Sequence, residues 1–195
     1  LFMEREDSDP GIVRATGSLD ELGEAALVLE AARIGADRIG APTLAVRNGA
    51  PALVMIAWAE LGEERELHAF ASGDQGQSWN PRGALDLPEL PDAEELGSPS
   101  LTVQNGTYLL SLPIRRGTRW RIAQIVSDDL VHWRLADDRA LTSGSAQHAV
   151  LGARAPEARV FADGVELFYL GVDGIEPTPL RTWRPATDDA VLPGG

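Results

Sequence analysis

Cysteine is absent from this 195-residue chain, which removes disulfides and thiolate metal sites. Positive charge is scarce: 17 Lys and Arg face 30 Asp and Glu, a formal net charge of −13. Nucleic acid and anionic membranes both need a basic surface, so neither is an expected partner. Long apolar runs are missing too, and a stretch such as Pro51–Ala59 is far too short to span a bilayer. The sequence shows no phosphate-cradling glycine motif, P-loop or nucleophile elbow. His68, His132 and His148 are scattered without metal-ligand spacing, so neither a metal nor a cofactor is expected.

What is present is a globular composition rich in turn formers, with 20 glycines and 13 prolines. It also repeats. Ala41–Trp58, Ser98–Pro113 and Ala155–Gly171 each read as a proline, a short apolar strand, an Asn-Gly or Asp-Gly turn, and a second apolar strand. Pro42, Pro99 and Pro156 are 57 residues apart each time. Asn48-Gly49, Asn105-Gly106 and Asp163-Gly164 follow them as hairpin signals, because both turn positions favour φ > 0.

A second landmark gives the same period. Glu66–Trp79 parallels Arg121–Trp133: an alternating strand, then Ser-x-Asp, then tryptophan. Ser18, Ser72 and Ser127 fall 54 and 55 residues apart. Each unit therefore holds about four strands, and four-stranded antiparallel units repeated in this way are the signature of β-propeller blades. The expected fold class is all-β: a β-propeller of about three and a half blades, an incomplete ring. The expected organisation is one domain, with a partial blade over 1–36, blades over 37–92 and 93–146, and a last, partial blade over 147–195. Leu1-Phe2-Met3 reads as a strand already under way, and the first blade lacks its opening strand. A composite blade made from both chain ends, closing a four-bladed ring, is the lesser alternative.

One segment argues locally for something else. Ser18 with Glu21 forms a capping-box pattern, and the alanines and glutamates that follow favour a helix over Leu19–Arg33. The repeat frame instead places a strand at Ala26–Glu30, and tertiary context is expected to override propensity there. In Ser72–Trp79, Asp74 should accept following backbone N–H groups and Gly76 should supply positive φ. Ser72 and Ser78 should tie their hydroxyls to the same loop, with Trp79 packed between blades.

Ser72, Asp74, Gly76, Ser78 and Trp79 match every defined position of the Asp-box, or BNR repeat, of sialidases, which this segment resembles. Ser127–Trp133 resembles the Ser-x-Asp-Leu-x-x-Trp segment of the five-bladed arabinanase, invertase and levansucrase group. The resemblance implies a glycoside-hydrolase-related propeller with carbohydrate as partner, and favours a secreted or periplasmic location. It also implies an aspartate before one proline, stabilising the transition state, and a glutamate two positions before the next, acting as general acid. Ala41 and Gly97 stand at those places instead. The aspartate that the group carries on its opening strand has no counterpart either.

Four residues near the inner prolines are the candidate substrate-binding groups. Glu95, beside Glu94, lies in an acidic proline-rich connection whose ordinary role is solvated loop charge. Arg38 loosely resembles the arginine of the Arg-Ile-Pro element of sialidases, with a surface position or pairing to Asp37 as the plainer expectation. Arg154 and Glu157 flank Pro156 and are placed either to bind sugar hydroxyls or to pair with each other. Trp58, Trp120 and Tyr169 read as packing before they read as sugar platforms. The expected function is to act on or bind carbohydrate, with a non-catalytic carbohydrate- or protein-binding scaffold as the alternative.

Overall fold

The computed structural model describes residues 1–6, 9–17, 21–47, 53–90, 92–104, 106–141, 152–161, 164–172 and 178–185. The chain divides into two compact units, Leu1–Leu85 and Asp86–Gly195. In the first, β1 (Phe2–Arg5), β2 (Gly11–Arg14) and β3 (Ala26–Glu30) form one antiparallel sheet in that order. A second sheet runs β4 (Arg38–Val46), β5 (Leu53–Leu61), β6 (Glu64–Ser72) and β7 (Asn80–Ala84), again in chain order. Residues 54–59 and 67–72 are buried without interruption, as expected of central strands covered on both faces.

Phe70 and Met55 from the second sheet, and Trp79 from the turn between β6 and β7, join Ile12 and Leu29 from the first sheet in a single apolar cluster. Each such large side chain, fully buried, contributes about 1.5–3 kcal/mol.

The second unit repeats the plan. β8 (Glu95–Leu96) and β9 (Ser100–Gln104) both pair with β10 (Thr107–Arg116), as two pieces of one interrupted inner strand. Beyond β10 come β11 (Arg119–Ser127) and β12 (Arg134–Leu141). The last sheet is β13 (Gly152–Phe161), β14 (Gly164–Val172) and β15 (Thr178–Pro185), and β13 packs against β9, β10 and β11. The segment entering this unit is tied down by backbone bonds. Asp86 N–H donates to the Val131 carbonyl at 2.8 Å, and Trp133 N–H donates to the Asp86 carbonyl at 2.9 Å.

The local helix signal loses. Ala26–Glu30 is strand β3, paired with β2, and only Ala31–Ile34 coils, as a short 3-10 turn closed by Gly35. Pairing to β2 buries Leu29, and an isolated helix in this segment would have no such partner. Ser18 and Asp20 lie outside the described residues, as do Asn48-Gly49, Asn105, Asp163 and His148. The hairpins around those turns are closed by Val46 opposite Leu53, Gln104 opposite Thr107 and Phe161 opposite Gly164.

Two serine–aspartate turns cap the third strands of their sheets. Ser72 Oγ donates to Asp74 Oδ1 at 2.7 Å and accepts the Gly76 N–H at 2.7 Å. Asp74 Oδ1 accepts the N–H groups of Gln77 and Ser78, and Oδ2 accepts the Ser78 hydroxyl at 2.6 Å. Gly76 has φ +80°, where a side chain would be strained. Trp79, fully buried, closes the turn.

In the second turn Ser127 and Asp129 play the same parts for Leu130, Val131 and His132. Leu130 takes the positive φ, +76°, and the Trp133 indole donates to its carbonyl at 2.9 Å.

Candidate functional site

The three prolines that define the repeat each interrupt the inner strand in the same way. In β4 the register shifts between Gly40 and Thr43, so Ala41 and Pro42 face a single residue of β5. In β13 it shifts between Arg154 and Glu157, leaving Ala155 and Pro156 opposite one residue of β14. Between β8 and β9, Gly97, Ser98 and Pro99 span two residues of β10. Each copy holds one extra residue, the definition of a β-bulge. Proline is the cause: without an N–H it cannot complete the ladder, so an interior strand accommodates it at a bulge. Bulges re-aim the side chains beside them, and the four candidate residues sit within four positions of these prolines.

At the first bulge the local charge is organised from a neighbouring sheet. Arg38 Nε donates to Glu4 Oε1 at 2.6 Å, and Arg38 Nη2 contacts both Glu4 and Glu6. Glu4 Oε2 accepts the N–H of Ala41, the bulged residue, which has φ +48°. Gly40 leaves room for this: a Cβ there would lie 2.1 Å from Glu4 Oε2. The hydrogen bond that Arg38 donates to Glu4, then the charge of that carboxylate, raises the already high pKa of the guanidinium. The expected pairing to Asp37 is not what forms. Asp37 Oδ2 accepts the Gly62 N–H, and Arg38 reaches across to β1 because the facing carboxylates come from there.

In the second unit, Glu95 is paired with Arg115, whose Nε donates to Glu95 Oε2 at 2.6 Å. Glu94 accepts the Gly117 N–H, and Arg116 donates to Asp92, so the acidic connection is stapled onto the β10–β11 turn. Arg154 lies on β13 opposite Leu170, and Glu157 lies opposite Phe168 and is exposed. These two flank one bulge. Trp58 is buried with Arg65 stacked 4.4 Å over its ring, and Tyr169 is buried, with desolvation raising its pKa. Among the described residues, no group of three or more His, Asp or Glu is arranged to hold a metal ion.

Sequence reading missed Glu4, Glu6 and Arg115. Glu4 on β1 and Glu6 just beyond it reach Arg38 from outside its sheet, a contact for which the repeat carries no signal, while Arg115 sits directly opposite Glu95 in the β8–β10 pair, a match set by hairpin register. An alternating pattern places Glu4 on a strand but does not say which inner strand that strand faces.

No protein-family model matches the sequence, and no curated protein matches it. Solved structures do. A mutant of the Bombyx mori GH32 beta-fructofuranosidase in complex with sucrose matches with TM-score 0.63 and 12% identity, over 97% of this chain and 44% of that one. A family 117 glycoside hydrolase of the marine bacterium Zobellia galactanivorans matches with TM-score 0.51 and 17% identity, over 67% of this chain and 47% of its own. A GH43_1 enzyme from Xanthomonas citri gives 0.50 and 17%, over 72% and 45%. These are five-bladed propellers. The chain therefore has the β-propeller fold, and spans less than half the length of each of the three.

Proposed function

We propose that this chain forms part of a glycoside-hydrolase-related propeller that binds or acts on carbohydrate through its bulged inner strands. The supporting observation is the conjunction of that fold with a proline bulge in each inner strand, with polar side chains gathered beside it. Arg154 and Glu157 flank one bulge and are the leading sugar-binding pair. Arg38 and Glu95 remain 42% and 47% exposed while ion-paired, so each keeps hydrogen-bonding capacity for hydroxyl groups. Ser72–Trp79 is read as an Asp-box of the sialidase type, with a structural role: its polar atoms close a hairpin and its tryptophan anchors it.

One observation favours the binding reading over the hydrolytic one. Glycoside hydrolysis takes two carboxyl groups at controlled separation, and Ala41 and Gly97 stand where the resemblance implies acids. Glu4 brings a carboxylate to the Ala41 N–H, but Arg38 engages it. Incubation with aryl glycosides, including a sialic acid glycoside, tests turnover. A glycan array with Glu157→Gln as comparison tests binding. Glycan binding that falls with Glu157→Gln, without turnover, is the expected result. Silence in both assays sinks the carbohydrate reading.

A further inference from the structure

Of the three aromatic residues weighed as sugar platforms, Trp58 and Tyr169 are buried, whereas Trp120 is half-buried. Its setting has a counterpart in the first unit. The β10–β11 hairpin repeats β5–β6 at an offset of 55 residues, so Pro113 stands for Trp58 and Trp120 for Arg65. In the earlier copy the ring is the buried member, with the Arg65 guanidinium over it. In the later copy Pro113 is buried and the indole is the half-buried member.

The indole reaches the inner strand. Trp120 is opposite Arg115 and Arg115 is opposite Glu95, so the three form one row across β11, β10 and β8 on a common face. A Cβ on Gly97 would lie 3.2 Å from Trp120 Cζ3 and 3.0 Å from Pro113 Cβ. Position 97 is where the resemblance implies a general acid; in this chain the edge of an aromatic ring borders that space. Polar groups stand in the same row. Arg115 Nε donates to Glu95 Oε2 at 2.6 Å, and an exposed carboxylate keeps further acceptor sites.

We propose that Trp120 is a stacking platform for a neutral sugar ring, and that Glu95, set by Arg115, accepts a hydroxyl group of the same glycan. The proposal rests on the carbohydrate reading and adds a residue and a sugar class to it. The face of an aromatic ring is negative and attracts the polarised C–H groups on the flat side of a pyranose. A site that joins one aromatic surface to a few placed polar groups suits a ligand with an apolar face and a hydroxyl rim. Acidic sugars are disfavoured. Arg115 is already neutralised by Glu95, with Glu94 3.9 Å away, and the chain carries a net charge of −13.

A glycan array presenting neutral, sialylated and uronate-bearing oligosaccharides, read over a concentration series of the 195-residue chain, tests it. Neutral glycans should bind in preference to acidic ones. Trp120→Leu keeps an apolar side chain against Pro113 but no ring, and should weaken binding at least about tenfold, with Trp120→Phe recovering most of the loss. Glu95→Ala should also weaken binding while its urea midpoint stays close to that of the native chain. Neutral binding indifferent to Trp120→Leu and Glu95→Ala overturns the proposal and leaves the carbohydrate reading standing. A preference for sialylated or uronate-bearing glycans overturns it as well. A silent array removes the carbohydrate reading and the proposal together.

Discussion

Phe2 and Trp79 meet edge to face, with ring centroids 5.7 Å apart and planes crossed at 79°. The contact joins the first strand of one sheet to the tryptophan that closes the serine–aspartate turn of the next. Trp79→Ala should lower unfolding free energy by about 3–5 kcal/mol, and Phe2→Ala, at a half-buried position, by roughly 1–3 kcal/mol. Urea unfolding of both single variants and the double variant checks this. The double loss should fall short of the sum, because the rings share one contact. Strict additivity would mean that the pair is not coupled.

Acid should loosen both serine–aspartate turns. The Ser78 hydroxyl and N–H hold Asp74 well below the usual carboxylate range, and the His132 imidazole does the same for Asp129. Folded values below the unfolded one, about 3.9, mean that the stabilisation is complete above that pH. It is lost as pH falls through the folded values. Asp74→Asn should flatten the acid limb of a stability-versus-pH curve measured by urea midpoint; an unchanged limb would remove Asp74 from the account.

His132 should act in the opposite sense. Its Nδ1 lies 2.6 Å from Asp129 Oδ2, and that bond, followed by the charges of Asp129 and Asp86, raises its pKa. The stabilisation is therefore present below the unfolded value, about 6.5, and lost as pH rises through the higher folded value. An NMR titration of the imidazole should give a midpoint above 6.5, and Asp129→Asn should bring it down.

Gly40→Ala should cost about 1–3 kcal/mol, because its Cβ would occupy the space of the Glu4 carboxylate. Adding Glu4→Ala should recover part of the loss by vacating that space. If the second substitution makes matters worse by its full independent cost, Glu4 does not fill the gap at Gly40.

Much of this architecture was written in spacing. The prolines at 42, 99 and 156 marked the inner strands, and Ser-x-Asp with tryptophan marked the turns, because both depend on local backbone chemistry. That frame also decided Ala26–Glu30 correctly against its own helix propensity, since the pairing with β2 is tertiary. The site was less legible. Arg38 was readable as a charged residue near a proline, but its partners lie more than 30 residues away, Glu4 on another sheet and Glu6 just beyond that strand. Contacts between sheets follow from twist and packing, and a one-dimensional repeat does not encode them.

The extra residue at each inner proline has a consequence for how these strands can change. Odd and even positions exchange roles across it, so the two halves of an inner strand obey separate alternation rules. Substitutions ahead of the proline leave the phase of the packed half untouched. Deleting the extra residue there would restore an unbroken ladder in which both halves keep their present faces, so it is the bulge, and not the facing of the strand, that such a deletion would remove. Exposed positions ahead of these prolines, Glu95 among them, are thus free to vary in chemistry while the sheets behind them stay constant, whereas Ile39 and Gly40 are held by their surroundings.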